Sequence, residues 1–313
     1  MPFFSVVIPL YNKEKYIENT LKSVFNQTFR NFEIVVIDDG STDKSLEIAK
    51  QNLKAFENYK IIIQKNKGLS ATRNIGVSNA KGDVIAFLDA DDFWHTDFLK
   101  RIYNLYLEFP EASLFGTSYF LKYSDKVVLE ITKNIDAKLN NKSLLITDFF
   151  ESNLYHPIAC QSSIAIKKLV FEDIIFDESI NYSEDIDFYI KSNLNYKFAY
   201  FNSPLVTILL NIPDQITRSG IKGKTIPDLN KYEKYCINNV SLKKYLDFYR
   251  YTFLIQYKLC NDSKNYKSIL EKIDINNLTF KQKFLIKCPV IILKLVKWLK
   301  KQLLKYNIQY TSF

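Results

Sequence analysis

The stretch Phe87-Leu88-Asp89-Ala90-Asp91-Asp92 sets three carboxylates directly behind an apolar strand, which itself follows the turn Lys81-Gly82-Asp83. Ionised oxygens this close repel one another and are poorly solvated beside a buried strand, unless a divalent cation carrying a diphosphate satisfies them. The plainer reading of the same residues is an acidic turn or helix cap, with Asp92 leading into Phe93-Trp94. The neighbouring segments decide between the two.

Upstream, Ser5-Val6-Val7-Ile8-Pro9-Leu10 and Phe32-Glu33-Ile34-Val35-Val36-Ile37 are short, β-branched and almost continuously apolar, as strands covered on both faces of a parallel sheet are. Between them Ile17, Leu21, Val24 and Phe25 share one helical face. This is a βαβ unit. The alternation continues with a helix over Ser45 to Ala55, a strand over Lys60 to Ile63, a helix over Ser70 to Asn79 and a strand over Asp83 to Leu88. In such sheets ligands lie beyond the carboxyl ends of the strands. Those ends read Pro9-Leu10-Tyr11-Asn12, Asp38-Asp39-Gly40-Ser41-Thr42-Asp43, Asn66-Lys67-Gly68 and Asp89-Ala90-Asp91-Asp92. An aromatic ring, a carboxylate that accepts from a base N–H, a basic helix start and an acid pair on one edge would together hold a nucleotide diphosphate. Singly, each is as readily a turn, a cap or a surface charge; four in register are not.

At 313 residues and 47% hydrophobic content, the chain can bury one large domain and a smaller one. Its 7 Gly and 8 Pro argue against long linkers, and no internal repeat is visible. Cys160, Cys236, Cys260 and Cys288 are too far apart for a zinc site or a disulfide framework, which suits a reducing cytoplasm. The start Met1-Pro2-Phe3-Phe4-Ser5 runs into a strand without the features of a secretion signal, and no run approaches the ~18 apolar residues of a membrane span. A formal charge of +9 permits nucleic-acid binding, yet no nucleic-acid-reading motif occurs and the basic residues gather at one end. Nucleic acid is therefore not an expected partner.

Taken together, Val6-Val7-Ile8-Pro9-Leu10-Tyr11-Asn12, Ser23-Val24-Phe25-Asn26-Gln27-Thr28, Val36 to Asp43, Asn66 to Gly76, Gly82 to Asp92, Phe176-Asp177-Glu178 and Ser183-Glu184-Asp185-Ile186-Asp187 resemble, in order and spacing, the family 2 glycosyltransferases. The resemblance implies a GT-A fold, a doubly wound mixed α/β sheet with flanking helices. It implies a catalytic domain over 1–222, with a nucleotide-sugar half to about 110 and an acceptor half from about 111, followed by a smaller helical region over 223–313. By resemblance, Pro9, Tyr11 and Asp39 contact the base, usually uracil, and Asn12, Asn66, Gly68 and Arg73 lie along the donor. Asp89 sits by the ribose, and Asp91 holds Mn²⁺ or Mg²⁺ on the diphosphate.

Attack by a sugar hydroxyl on an anomeric carbon needs a base as the bond forms, and a carboxylate serves at neutral pH. The resemblance nominates Asp185, with Glu184 beside it on the acceptor side; a single base opposite the leaving diphosphate implies inversion. Without that pattern, Glu184, Asp185 and Asp187 read as an acidic first helical turn complementing the dipole. One departure stands out. Relatives carry a histidine near a Ser/Thr pair where this chain has Leu210-Asn211-Ile212-Pro213-Asp214-Gln215-Ile216-Thr217-Arg218. The expectation is that Gln215, Thr217 and Arg218 close over the diphosphate, and neither His95 nor His156 is nominated as a ligand.

Beyond Asp274 no acidic residue occurs. From Phe284 to Tyr306 the spacing predicts one helix with Cys288, Ile291, Ile292, Leu295, Leu299 and Leu303 on one face and Lys287, Lys294, Lys297, Lys301 and Lys305 opposite. With Trp298 at its edge, such a helix suits an anionic membrane surface; a solvated face on a docked helix is the alternative. The expectation is an inverting, metal-dependent transferase, peripheral at the cytoplasmic face of the inner membrane. It would move a hexose or N-acetylhexosamine from a UDP-sugar to a polyprenyl-diphosphate-linked glycan, resembling the branching transferases of bacterial protein N-glycosylation. A capsule or lipopolysaccharide transferase and a silent glycan-binding scaffold are the alternatives. A sugar nucleotidyltransferase would want a glycine-rich triphosphate loop after the first strand, and Asn12-Lys13-Glu14-Lys15 is not one.

Overall fold

The computed structural model describes residues 1–304 apart from 155, 211, 213, 214 and 216–219; of Lys301 and Leu304 it describes the backbone only. In chain order the elements are β1 (Phe4–Leu10), α1 (Ile17–Phe25), β2 (Phe32–Asp38), α2 (Ser45–Leu53), β3 (Tyr59–Ile63), α3 (Leu69–Asn79), β4 (Val84–Phe87), β5 (Phe93–Trp94) and α4 (Phe98–Glu108). Then follow β6 (Ala112–Ser124), β7 (Val127–Glu130), β8 (Ser143–Ile146), α5 (Phe149–Ser152), β9 (Ile164–Lys167), α6 (Glu184–Asn195) and β10 (Lys197–Leu209). The described chain ends in α7 (Val240–Leu259), α8 (Ser263–Leu270), α9 (Phe280–Lys287) and α10 (Val290–Leu304).

The strands form one mixed sheet in the order β3-β2-β1-β4-β9-β6-β10-β5, with β7 on β6 and β8 on β10. β3, β2, β1 and β4 are parallel, so their carboxyl ends share an edge. β9 enters antiparallel between β4 and β6. Every residue of β1 and β2 is buried, which is why both read as unbroken apolar runs. Pro9 is tolerated in this central strand because the β4 pairing stops at Val7–Phe87; two residues on, Pro9 faces the same side with no ladder acceptor to serve. α3 packs closely on β1 at Gly76, where an added Cβ would lie 2.3 Å from Val7 Cγ1.

Both faces of the sheet are covered. Phe4, Val6 and Ile8 pack with α1, α2 and α4 on one side, whereas Val7, Ile85 and Phe87 pack with α6 and α7 on the other. α7 sends Leu242, Tyr245, Leu246 and Phe253 into this second core, at roughly 1.5–3 kcal/mol per fully buried large apolar side chain. Its far side carries Tyr251, Leu254 and Ile255 into a smaller cluster with Leu285, Ile286, Cys288 and Leu293. Charges fasten the same region: Asp187 is fully buried, with Lys191 at 2.6 Å and Lys231 at 2.5 Å. Asp247, also fully buried, meets Arg250 at 3.0 Å.

The tail departs from expectation. The single helix predicted from Phe284 is interrupted at Cys288-Pro289, giving α9 and α10, because the residue before a proline avoids the helical region and Cys288 is extended (ψ 141°). Cys288 is buried rather than aligned with the outer apolar residues. The side of α10 opposite its apolar stripe is not purely cationic: it also carries Leu293, fully buried against the body. Lys287, Lys294 and Lys297 are exposed, the latter two lying between the docked face and the apolar stripe. That stripe, Ile291, Ile292, Leu295, Trp298 and Leu299, is itself exposed, Ile291 by 80%. The Lys301 side chain and all of Lys305 lie outside the described residues. Among the described residues no helix is long and apolar enough to cross a membrane.

Candidate active site

The loops after β1 and β2 are laced together. Asn12 adopts a left-handed conformation (φ +50°), donates its N–H to Ser41 Oγ at 3.1 Å and accepts from Thr42 N–H at 2.8 Å. Lys13 N–H donates to Ser45 Oγ at 2.6 Å, and Glu14 N–H to Asp43 at 3.1 Å. Tyr11 stands beside them, 44% exposed, while Pro9 is buried in the strand. Asp39 is buried, and its carboxylate accepts from the backbone N–H groups of Lys67 (2.8 Å) and Gly68 (2.9 Å) and from Gln64 Nε2 (2.7 Å). Gly68 starts α3 at φ +89°, a conformation that favours glycine. Asn66 is exposed on this edge.

The turn after β4 is held from three sides. Thr20 Oγ1 of α1 donates to Ala90 O at 3.0 Å. Asp89 N–H donates to Ser162 Oγ at 3.1 Å, and Ser162 in turn donates to Asp92 at 2.6 Å. Leu209 N–H, at the end of β10, donates to the other Asp92 oxygen at 3.2 Å. Asp92 is thus a buried brace. Burial, with Asp91 and Asp89 adding to it, lifts its carboxyl well above the usual range. Asp91 is mostly buried, and Lys13 Nζ lies 2.9 Å from its Oδ2. Burial raises the Asp91 carboxyl and Lys13 pulls it back.

Arg73 links α3 to the turn after β4 and to the start of α6. Projecting from α3, it is 2% exposed and lies 5.4 Å from the Phe176 ring centroid. Its guanidinium donates to Asp89 at 3.1 Å and to Glu184 at 2.7 Å. Burial pulls its proton affinity down; Asp89 and Glu184 more than reverse this. Arg73 is thus held between Asp89 and Glu184, and the buried Glu184 carboxylate turns onto Arg73. Its neighbour Asp185 opens α6 after Ser183, itself left-handed at φ +61°. Burial and the adjacent Glu184, offset by Arg73, push the Asp185 carboxyl up to about 7. Tyr189, one turn on, and Tyr249 of α7 are raised by burial and then by the Asp185 charge. Asp185 thus stands among tyrosines from α6 and α7.

Gln215 donates to Leu209 O at 2.6 Å, beside the Asp92 brace. Thr217 and Arg218 lie outside the described residues. Sequence reasoning missed Thr20 and Ser162, which show no motif, and Lys13, whose only signal is its place directly after Tyr11-Asn12. Among the described residues no three His, Cys, Asp or Glu side chains cluster as a ready-made metal site. What the edge offers a cation is Asp91, which already pairs with an ammonium. Mn²⁺ or Mg²⁺ there would take its other ligands from phosphate oxygens and water, as Mg²⁺ held by one or two carboxylates does.

The sequence matches the family model "Glycosyl transferase family 2" over residues 5–175. It is 38% identical over 121 residues to glycosyltransferase GlyA of Streptococcus pneumoniae, covering 39% of this chain and 17% of that one. It is 31% identical over 265 residues to an uncharacterised glycosyltransferase of Rickettsia felis, covering 78% and 38%. The chain therefore spans well under half the length of either relative. Among solved structures, TarS of S. aureus in complex with UDP-GlcNAc superposes with a TM-score of 0.63 at 20% identity, over 91% of this chain and 84% of that one. None of these three names specifies a polyprenyl-linked acceptor or a branching role in protein N-glycosylation. With more than half of its length inside the family model, the chain belongs to glycosyl transferase family 2.

Proposed function

We propose that the protein is an inverting, metal-assisted glycosyltransferase that moves a hexose or N-acetylhexosamine from a UDP-sugar to a glycan hydroxyl. One observation carries the reading: buried Arg73 bridges the partly exposed Asp89 and the buried Glu184, so the start of α6, with Asp185, meets the acidic turn after β4. The uridine diphosphate would lie along the edge formed by Pro9, Tyr11, Asn12, Asp39, Asn66, Gly68 and Asp89. Asp185 would take the proton of the acceptor hydroxyl as its oxygen bonds to the anomeric carbon; the bond to the diphosphate breaks and its electron pair leaves with UDP. A carboxyl near 7 suits this task, since it is ionised often enough to act and basic enough to hold the proton. Bound at Asp91, Mn²⁺ or Mg²⁺ would supply positive charge to the diphosphate.

The exposed apolar stripe of α10 favours a second element of the reading, peripheral attachment to an anionic membrane. Isolated apolar residues on a surface are ordinary, whereas a contiguous set flanked by cations marks a contact surface. This supports a lipid-linked acceptor, a polyprenyl-diphosphate glycan at the cytoplasmic face of the inner membrane. α7, earlier in the 223–313 region, belongs to the catalytic core. The test is UDP release with Mn²⁺ across UDP-glucose, UDP-galactose and their N-acetyl forms, with lipid-linked and free glycan acceptors. Stereochemical inversion and dependence on Asp185 are expected; retention of configuration, or release unaffected by Asp185→Asn, overturns the mechanism.

A further inference from the structure

The cation already on Asp91 comes from the chain itself. Lys13 Nζ sits 2.9 Å from Asp91 Oδ2, with the two side chains only 13% and 12% exposed. The backbone of Lys13 is pinned at its own N–H by Ser45, and its neighbours Asn12 and Glu14 are pinned by Ser41, Thr42 and Asp43. The lysine stem, by contrast, is four flexible carbons. The anchor is fixed and the charged head can move.

We infer that Lys13 is an internal counter-cation that makes metal binding at Asp91 contingent on the donor. This rests on Asp91 being the metal ligand. A divalent ion on the same carboxylate would stand within a few ångströms of the ammonium, and two cations cannot share that partly buried position without strong repulsion. In the absence of nucleotide, the ion must displace Lys13 and leave the ammonium without its carboxylate. A diphosphate changes this: its oxygens ligate the ion and offer the displaced ammonium a new anion. Cation and nucleotide therefore bind with positive coupling, and by linkage each tightens the other equally. Lys13 would thus keep free metal off the carboxylate until the donor brings the charge that relocates it.

Calorimetric titration of the full chain with Mn²⁺, with and without saturating UDP, tests this without any turnover. In the unaltered protein, UDP is expected to tighten Mn²⁺ about tenfold or more, within the roughly 5–150-fold range of typical couplings. Lys13→Met should tighten Mn²⁺ alone, weaken UDP in the presence of metal and so shrink the coupling factor. Lys13→Arg, which keeps the charge, should retain most of the coupling and guards against a misfolded methionine variant. If Mn²⁺ alone binds Lys13→Met no more tightly than the unaltered protein, while UDP still tightens Mn²⁺ in both, the lysine inference is overturned and the metal assignment stands. If Asp91→Asn binds Mn²⁺ with UDP as well as the unaltered protein does, the metal assignment falls and the inference with it.

Discussion

The strand-end edge and the last helix break the ordinary rule of protein surfaces in opposite directions. At the edge, charged groups are taken out of water: Arg73 is 2% exposed, and burial moves Asp185 up to about 7. On α10, apolar groups are left in water, with Leu295, Trp298 and Leu299 each roughly half exposed. Both arrangements work against stability taken alone. On the proposed reading the edge would meet a charged substrate and the tail an apolar surface.

The largest effect is expected at Asp185. Asp185→Asn should lower turnover about 10²- to 10⁴-fold, the range of a positioned base, with UDP affinity nearly unchanged in a binding titration. If UDP affinity collapses with it, Asp185 is a donor contact and not a base. Because the base must be ionised, kcat/KM of the unaltered enzyme should climb as pH rises through about 7. The stability sign runs the other way. A carboxyl raised on folding contributes stability below its unfolded value of about 3.9, and that contribution is lost as pH rises to about 7. Asp185→Asn should therefore melt a few degrees higher than the unaltered protein at pH 8 and close to it at pH 4, checked by calorimetry.

Arg73→Leu comes next. Removing one member of a buried charge bridge leaves its partners without compensation and costs roughly 3–5 kcal/mol, readable as a fall in the denaturant midpoint; a change under about 1 kcal/mol would mean that water replaces the guanidinium and that the bridge does not organise the site. At the tail the effects are smaller and fall on binding. Lys287, Lys294 and Lys297 each changed to Glu should remove about 1 kcal/mol of attraction per charge to anionic vesicles, while the apolar stripe keeps a residue of binding at high salt. Sedimentation equal to that of the unaltered protein would show that the lysines do not meet the lipid, and an unaltered protein that ignores the vesicles would refute the membrane contact. The smallest effect is expected for Leu295→Ser with Trp298→Ser, within about 0.5 kcal/mol of unaltered stability; a larger loss would show that the stripe packs on protein after all.

What the sequence made legible follows from chain distance. β1, β2 and the helix between them are local patterns of β-branched runs and apolar spacing, and the structure returns them within a residue or two. The strand-end clusters could be placed on one edge because parallel strands bring their carboxyl ends together. Partners could not be read. Lys13 with Asp91, Ser162 with Asp92 and Arg73 with Glu184 join residues scores of positions apart, and no spacing rule connects them. Nor could the amphipathic pattern of the tail say which face would dock: Leu293 turned inward and Ile291 outward from residues of the same character.

The bond between Leu209 N–H and Asp92 spans 117 positions, and the bridge from Arg73 to Glu184 spans 111. A chain emerging from the ribosome at about 5–20 residues per second therefore waits on the order of ten seconds between making its acidic turn and making the strand that braces it. During that interval β1 to β4 can pair, but the turn gains Ser162 only after 70 positions and Leu209 only after all 117. A nascent chain stalled before β10 would thus carry the acidic turn after β4 with Ser162 in reach but without the Leu209 N–H that completes its brace.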